Sequence, residues 1–275
     1  MKKLLLVSVS ALALGVIAPA NAADMPVKAR PMPMVAPVFS WTGCYAGAHV
    51  GAGWGRNDIS EPTNPDFQTF APANSPIGVD SGAGLLGGVQ VGCDYQFATS
   101  WVVGLRGDFS WANISGQADD PFFAGKSGGP ITLTAKTDWI ASAEARIGYV
   151  WDRWMLYGVG GPAWAHNKYD IQNLTFFGNP VNFCVGGGTA IGCNPAGSDT
   201  RLGWTLGIGL EWAFAKSWTA GLEYAHYDFG SRSVTLTDYH GDPLTNIASG
   251  PVDVKQQIDT VKLSINYHFG WPGVH

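Results

Sequence analysis

The segment Arg201–Phe214 alternates strictly between apolar residues and small or polar ones, and this alternation constrains the fold more than any other feature. Residues two apart lie on the same face of a β-strand but on opposite faces of a helix. The segment is therefore predicted to be a strand with one fully apolar face. That face carries Leu202, Trp204, Leu206, Ile208, Leu210, Trp212 and Phe214.

Seven further segments share this period of two, so the chain is predicted to contain eight strands. Each segment can supply the roughly 9–11 tilted residues with which a strand crosses a bilayer. Bacterial single-chain membrane barrels have an even number of strands, and eight fits that rule. The seven segments are Trp41–Gly55, Gly84–Phe97, Trp101–Ile114, Thr132–Trp151, Trp154–Tyr169, Trp218–Phe229 and Gln256–Phe269.

Three connections are short turns bracketed by aromatic residues, namely Phe97–Trp101, Trp151–Trp154 and Phe214–Trp218. Short turns at one end and long loops at the other are typical of outer-membrane barrels. The predicted fold is all-β: an eight-stranded, antiparallel, up-and-down transmembrane β-barrel with its turns and termini in the periplasm. Its long outer loops are expected at Arg56–Ala83, Ser115–Ile131, Asp170–Thr200 and Gly230–Lys255.

Aromatic side chains mark both ends of the predicted strands. Trp and Tyr rings are amphipathic and lie at the headgroup level of a membrane. The step from Trp101 to Trp111, at ~3.3 Å per residue and ~40° tilt, spans about 25 Å, the height of an apolar band. We expect an outer girdle of Trp54, Trp111, Trp139, Trp164 and Trp204, and an inner girdle that includes Trp41, Trp101, Trp151, Trp154, Trp218 and Phe269.

The composition fits a membrane barrel better than a soluble domain. Hydrophobic residues make up 46% of the chain and charged residues only 13%, whereas roughly a quarter of the residues in a soluble domain are charged. After residue 22 the sequence has no apolar run of the length a spanning helix needs. Low charge without such runs indicates strands that alternate between lipid-facing and lumen-facing residues.

Residues 1–22 have the organisation of a secretory signal peptide. Lys2 and Lys3 form the charged region, Leu4–Ile17 the apolar core, and Ala20–Ala22 an A-x-A cleavage site. The apolar run is shorter than the ~20 residues of a spanning helix, which argues against a membrane anchor. We expect export to the outer membrane of a Gram-negative bacterium, with a Pro-rich periplasmic leader at 23–39, the barrel at 40–269 and a short tail at 270–275.

The net charge argues against a nucleic-acid partner. Removal of Lys2 and Lys3 leaves 14 basic and 21 acidic residues, a net charge of about −7. Nucleic-acid binding depends on basic patches, which this balance does not favour.

Four cysteines in an exported protein can form disulfides. Cys184 and Cys193 lie in one Gly-rich connection, where a bond would close a small ring. Cys44 and Cys93 lie near the ends of two strands that are expected to be neighbours. Three pairings are possible. The pairing Cys44–Cys93 with Cys184–Cys193 is favoured because each of these pairs is already expected to lie close together.

The face opposite the apolar one is expected to bring charged side chains into the lumen. Three pairs on adjacent strands are expected to neutralise each other: Glu223 with Lys262, Arg106 with Glu144, and Asp108 with Arg146. A ring of eight strands has room only for side chains, which favours a plug of ion pairs, and a gated narrow pore is the alternative. The full lumen set is Asp94, Arg106, Asp108, Lys136, Asp138, Glu144, Arg146, Arg201, Glu211, Glu223 and Lys262.

The sequence predicts no catalytic residues, no metal site and no cofactor. No pair of His residues has metal-ligand spacing. A small barrel that modifies lipids would need His and Ser close together near the outer rim, and this chain has no His-x-Ser motif. A haem-binding role would need an exposed His or Tyr with apolar cover, for which His240 beside Tyr239 is the candidate.

Three stretches and the leader resemble the small outer-membrane immunogenic β-barrels, or porin family, of alphaproteobacteria. The stretches are Trp41–Gly55 (WTGCYAGAHVGAGWG), Gly87–Tyr95 (GGVQVGCDY) and Val261–Phe269 (VKLSINYHF), and the leader begins DMPVKA at Asp24. The resemblance covers the mature chain and implies an outer-membrane barrel, with members described as envelope components, antigens, porin-like proteins and haem binders. The family usually has an aromatic residue where Cys44 and Cys93 stand, and usually ends on the Phe that the assembly machinery reads, whereas six residues follow Phe269 here.

The expected function is a structural, surface-exposed role in the cell envelope. The alternatives are a narrow porin-like channel for ions or small solutes, and binding of haem or a surface ligand through the extracellular loops. Outer-membrane lipid, lipopolysaccharide and, during biogenesis, the barrel-assembly machinery are the expected partners. Enzymatic activity is not expected.

Overall fold

The computed structural model describes residues 39–60, 77–119, 132–172, 175–176, 179–180, 196–234 and 252–269. Within these ranges eight long strands form the fold, and two two-residue strands, β6 (Thr175–Phe176) and β7 (Asn179–Pro180), pair with each other. The long strands are β1 (Gly43–Ser60), β2 (Ile77–Phe97), β3 (Trp101–Asp119), β4 (Thr132–Trp151), β5 (Trp154–Gln172), β8 (Ala196–Ala215), β9 (Trp218–Val234) and β10 (Val252–Phe269).

The long strands form one closed antiparallel barrel, in the order β1-β10-β9-β8-β5-β4-β3-β2. The first and last strands close the ring, with Cys44 opposite Phe269 and Ser60 opposite Asp253. Three short turns join β2 to β3, β4 to β5 and β8 to β9, and we call that end of the barrel the turn end and the opposite end the loop end. The prediction of an eight-stranded, up-and-down, all-β barrel is confirmed. Among the described residues no helix is long and apolar enough to cross a membrane.

Most strands continue further toward the loop end than the sequence predicted. For example, β1 continues to Ser60 and β2 begins at Ile77, although both residues fall in the predicted loop Arg56–Ala83. Apolar alternation marks only the part of a strand that has one face in lipid. Backbone pairing continues past that part, as between Arg56 and Asp80, because the ladder needs no apolar side chain.

Burial in this barrel is reversed relative to a soluble protein. On β8 the outward-facing Leu202 and Leu206 are 61% and 62% exposed, whereas the inward-facing Arg201 is fully buried. An outward apolar band around a polar interior is the arrangement of a membrane barrel. The side chains predicted from Arg201–Phe214 to share one apolar face do share the outer face.

Apolar side chains fill the lumen at two levels. We call the group nearer the turns the turn-end layer, and the group nearer the long connections the loop-end layer. The turn-end layer consists of Trp41, Val102, Val150, Met155, Tyr157, Val159 and Ala213. The loop-end layer consists of Ile114, Ile140, Ala163, Ala165, Ala225, Tyr227, Phe229 and Ile258.

Trp41 lies inside the barrel, so its assignment to the inner girdle was wrong. Its side chain is fully buried, and its ring packs edge-on against Phe39 at 4.9 Å and His268 at 5.9 Å between centroids. The backbone N–H of Trp41 donates to Oε1 of Gln96 at 3.1 Å. Trp41 precedes β1 with the same parity as the inward-facing Tyr45, so its side chain points into the lumen. The other predicted girdle residues lie exposed at the turn end: Trp101, Trp151, Trp154, Trp218 and Phe269.

A disulfide joins Cys44 to Cys93, which are directly opposite each other on β1 and β2. This is one of the two pairs that the sequence favoured. Cys184 and Cys193 lie outside the described residues, as do the predicted signal peptide, nearly all of the leader, and the tail at 270–275.

Candidate functional site: the charged layer of the lumen

A layer of charged side chains lies between the two apolar layers, and we call it the charged layer. Strand order places it there, because on β3 the sequence runs from Val102 of the turn-end layer through Arg106 and Asp108 to Ile114 of the loop-end layer. All seven residues predicted for a lumen network are buried in it, together with Asp94. Its members are Asp94, Arg106, Asp108, Glu144, Arg146, Glu211, Glu223 and Lys262.

Arg106 binds two carboxylates, one from a neighbouring strand and one from across the barrel. On β4, Glu144 lies opposite Arg106 in register and accepts from its Nε at 2.8 Å. On β9, Glu223 accepts from Nη1 at 2.6 Å and from Nη2 at 2.9 Å, the two-pronged contact that suits a planar guanidinium. Tyr157 donates to the same Glu223 at 2.8 Å. The contact to Glu223 therefore ties opposite walls of the lumen.

Lys262 joins this pair to Asp108. Its Nζ lies 3.5 Å from Oε1 of Glu223 and 3.3 Å from Oδ2 of Asp108. The hydroxyl of Tyr227, from the loop-end layer, lies 3.3 Å from the same Nζ. One ammonium group thus contacts two carboxylates and the base of an apolar layer.

Arg146 organises the half of the charged layer nearer the turns. Its Nη1 donates to Oδ2 of Asp94 at 2.9 Å, and its Nη2 binds Glu211. Its Cζ lies 3.9 Å from the ring centroid of Tyr157, within cation–π range. Glu211 also accepts from Thr219 and, at 2.9 Å, from Asn266. Each carboxylate of this half therefore has a charged partner, which a buried charge requires.

Two sequence-based assignments in this region were wrong. Asp108 pairs with Lys262 rather than Arg146, because Arg146 lies closer to the turns and reaches Asp94 and Glu211. Lys136 and Asp138 lie outside the lumen. The register of β4 with β5 shifts between Thr137 and Trp139. On the turn side of this shift the even-numbered residues of β4 face the lumen, and on the loop side the odd-numbered residues do. Arg201 does lie in the lumen, beyond the loop-end layer, where it binds Asp199 at 2.7 Å.

Several polar residues of the charged layer were missed by considering charge alone. Tyr45, Tyr157, Thr219 and Asn266 all hydrogen-bond its members. Strand parity would have placed Tyr45, Thr219 and Asn266 inside, because each shares its parity with a charged residue or glycine of the same strand. On β5 glycines occupy both parities, so this signal does not place Tyr157.

His49, Ser110 and Asp108 form a cluster that contains the residue types of a hydrolytic triad. Nε2 of His49 lies 2.8 Å from Oγ of Ser110, but its Nδ1 is 3.5 Å from Oδ2 of Asp108, too long for a hydrogen bond. The Ser110 hydroxyl lies 3.1 Å from Oδ1 of Asp108, and Lys262 already neutralises that carboxylate. All three side chains are buried, and they lie between the two apolar layers.

The charged layer contains five carboxylates and three permanently charged bases, a formal charge of −2. His49 lies beside Asp108, and His268 is 3.7 Å from Glu211. No group of three or more His, Cys, Asp or Glu residues in the described ranges could hold a metal ion. His240 and Tyr239, the haem candidates, fall outside those ranges, so that hypothesis stays a prediction.

Comparison with known proteins places this architecture in a family. Residues 9–269 match the family model described as outer membrane protein beta-barrel domain. The chain is 31% identical to the 31 kDa outer-membrane immunogenic protein of Brucella melitensis biotype 1, over 98% of this chain and 100% of that protein. It is 26% identical to the 25 kDa outer-membrane immunogenic protein of Brucella abortus biovar 1, over 96% and 97% of the two chains.

Among solved structures, the outer membrane protein OprG from Pseudomonas aeruginosa aligns with a TM-score of 0.49 and 10% identity, over 83% of this chain and 97% of that one. The family match and the Brucella relative each cover nearly the whole sequence. The chain therefore belongs to the outer-membrane β-barrel protein family, and it is a protein of the Gram-negative outer membrane.

Proposed function

We propose that this protein is a structural component of the outer membrane, with a closed lumen and no catalytic activity. The observation that supports this most directly is the order of layers inside the barrel. An ionic layer tied across the lumen by Arg106 and Glu223 lies between two apolar layers. A solute would have to displace packed apolar side chains twice and break buried ion pairs between them.

The proposed orientation has the turn end in the periplasm and the loop end outside the cell. The exposed aromatic residues at the turn end would lie at the inner headgroup level, where amphipathic rings are favoured. The four long connections would then be presented at the cell surface, with lipopolysaccharide around the barrel. Phe269 closes the barrel against Cys44, and it is the residue we propose the assembly machinery recognises.

A narrow cation channel is the second candidate, because the charged layer has a formal charge of −2. An excess of carboxylates in a lumen favours cations over anions. Both apolar layers would need to move apart for conduction. The closed and conducting hypotheses therefore differ in whether the folded protein conducts ions across a bilayer.

Single-channel recording in planar bilayers tests the closed lumen. We expect the refolded wild-type protein to give no discrete openings. A variant with both layers thinned, by Trp41→Ala and Met155→Ala at the turn end and Phe229→Ala and Ile258→Ala at the loop end, and with the contact across the lumen removed by Arg106→Gln, is expected to conduct and to prefer cations.

The matched control removes apolar side chains of the outer face, with Leu206→Ala, Leu222→Ala and Leu263→Ala. It is expected to remain closed because it leaves the lumen unchanged. Discrete openings of the wild-type protein would overturn the closed-lumen proposal and favour the channel.

A further inference from the structure

Two lysines lie directly opposite each other on the outer wall of the barrel. Lys136 of β4 and Lys168 of β5 are register partners. The residues before and after each lysine are buried and face the lumen, so both lysine side chains point away from it. Like charges in directly opposed positions destabilise a sheet. This arrangement therefore calls for a compensating negative charge.

One carboxylate supplies part of that compensation. The register shift of β4 presents Asp138 to both lysines, with Oδ2 2.6 Å from Nζ of Lys168 and Oδ1 3.5 Å from Nζ of Lys136. Asp170, the next outward carboxylate of β5, forms no ion pair with either lysine. The two lysine side chains remain 44% and 55% exposed, so both ammonium groups can accept a further ligand.

The height of the pair on the barrel indicates which ligand is available. Lys136 lies three residues and Lys168 four residues beyond Trp139 and Trp164, toward the loop end. At ~3.3 Å per residue and ~40° tilt, that is roughly 8–10 Å beyond the aromatic girdle. In the proposed orientation this is the level of anionic groups on the outer leaflet, outside the apolar band.

We propose that Lys136 and Lys168, held in place by Asp138, bind a phosphate group of outer-leaflet lipopolysaccharide. The inference rests on the proposed orientation, with the loop end outside. A phosphate carries more than one negative charge and several strong acceptor oxygens, so one group can bridge two ammonium ions. Lysine binds phosphate as a point charge and needs no fixed fork geometry.

Arg56 shows why the lysine pair differs from other cations at the same end of the barrel. Its Nε lies 3.0 Å from Oδ1 of Asp58, and a second carboxylate, Asp80, is its register partner on β2. The positive charge of Arg56 is therefore fully compensated, and this exposed site has no excess positive charge to attract an anion. Arg56→Gln is therefore a matched control.

Binding of purified, detergent-folded protein to lipopolysaccharide tests the proposal. The double variant Lys136→Gln/Lys168→Gln is expected to bind about tenfold more weakly at low salt, since each basic residue contributes to attraction by an anionic surface. Arg56→Gln is expected to bind as the wild type does. Enzymatically dephosphorylated lipopolysaccharide is expected to bind the wild type and the double variant equally.

Three outcomes would overturn the proposal. The double variant could bind lipopolysaccharide as tightly as the wild type, or Arg56→Gln could lose as much affinity as the double variant. Millimolar inorganic phosphate could also reduce lipopolysaccharide binding by the wild type and by the double variant to the same extent. Heat-dependent gel migration checks that each variant is folded. Both lysines lie outside the lumen, so the double variant is expected to match the wild type in planar bilayers. A failure of the closed-lumen proposal and a failure of this one are therefore distinguishable.

Discussion

At the scale of single residues, the interior of this barrel depends on a few side chains that each satisfy several others. Lys262 contacts Asp108, Glu223 and Tyr227, and it is almost completely buried. A buried ion pair adds little net stability over apolar packing, but removal of one partner leaves an uncompensated charge. The loss of stability on removing a residue therefore depends on how many charged partners it leaves uncompensated.

Lys262→Ala is expected to lower the free energy of unfolding by roughly 3–5 kcal/mol, because it leaves excess negative charge near Asp108 and Glu223. The measurement is the unfolding transition in detergent, followed by tryptophan fluorescence. Lys255→Ala removes an exposed lysine of the same strand and is expected to change stability by less than about 0.5 kcal/mol. If stability is unchanged in Lys262→Ala and conductance appears, Lys262 belongs to a gate and not to a plug.

At the scale of strands, glycines on the inner face make room for large side chains on the neighbouring strand. Tyr157 of β5 lies over Gly209 of β8, its register partner, where a Cβ would approach the tyrosine ring to 2.3 Å. Tyr45 lies over Gly92 in the same way, with 2.6 Å from a Cβ to the hydroxyl. These inward-facing glycines therefore leave the space that two specific tyrosines occupy, and both tyrosines hydrogen-bond residues of the charged layer.

Gly209→Ala is expected to destabilise the barrel by about 1–3 kcal/mol, because overpacking would push Tyr157 away from Glu223 and Arg146. Gly107→Ala is the control, since a Cβ there meets only Val91 at 3.9 Å. Urea titration in detergent compares the two midpoints. Equal midpoints would mean that the lumen can repack around an added methyl group.

At the scale of the whole molecule, closure of the ring depends on backbone pairing along the full length of β1. This strand pairs with β10 from Cys44 to Ser60 and with β2 from Gly43 to Ile59. The disulfide Cys44–Cys93 adds a covalent link inside a ladder that already holds the two strands together. It should therefore contribute to stability without being required for the fold.

The double variant Cys44→Ser/Cys93→Ser is expected to fold and to keep its heat-dependent gel migration. Its free energy of unfolding is expected to fall by roughly 2–4 kcal/mol, because the bond links residues 49 apart and constrains the unfolded chain. The midpoint of urea unfolding measures this. Migration as an unfolded chain without heating would show that the barrel cannot close without the disulfide.

Much of the fold could be predicted because lipid on one side and a filled lumen on the other impose a strict alternation. Arg201–Phe214 carries that alternation without interruption, and the aromatic turns marked the strand ends. The ends nearer the loops could not be placed in this way, because Arg56 and its neighbours pair through the backbone after lipid contact has ended. The contact of Arg106 with Glu144, on strands joined by a long connection, also follows from sequence, since the two residues lie at similar depths when counted from the turn ends of their strands.

The sequence by itself determined the strand number, the barrel, the outward apolar face and the presence of charge inside, because each depends on local periodicity or on a short turn. Tertiary structure alone decided that Arg106 meets Glu223 across the lumen and that Lys136 and Asp138 lie outside. The first contact joins strands that are not neighbours and exists only once the sheet has closed. The position of Lys136 and Asp138 depends on a register shift in β4, because a slip of one residue turns a side chain to the opposite face of the sheet.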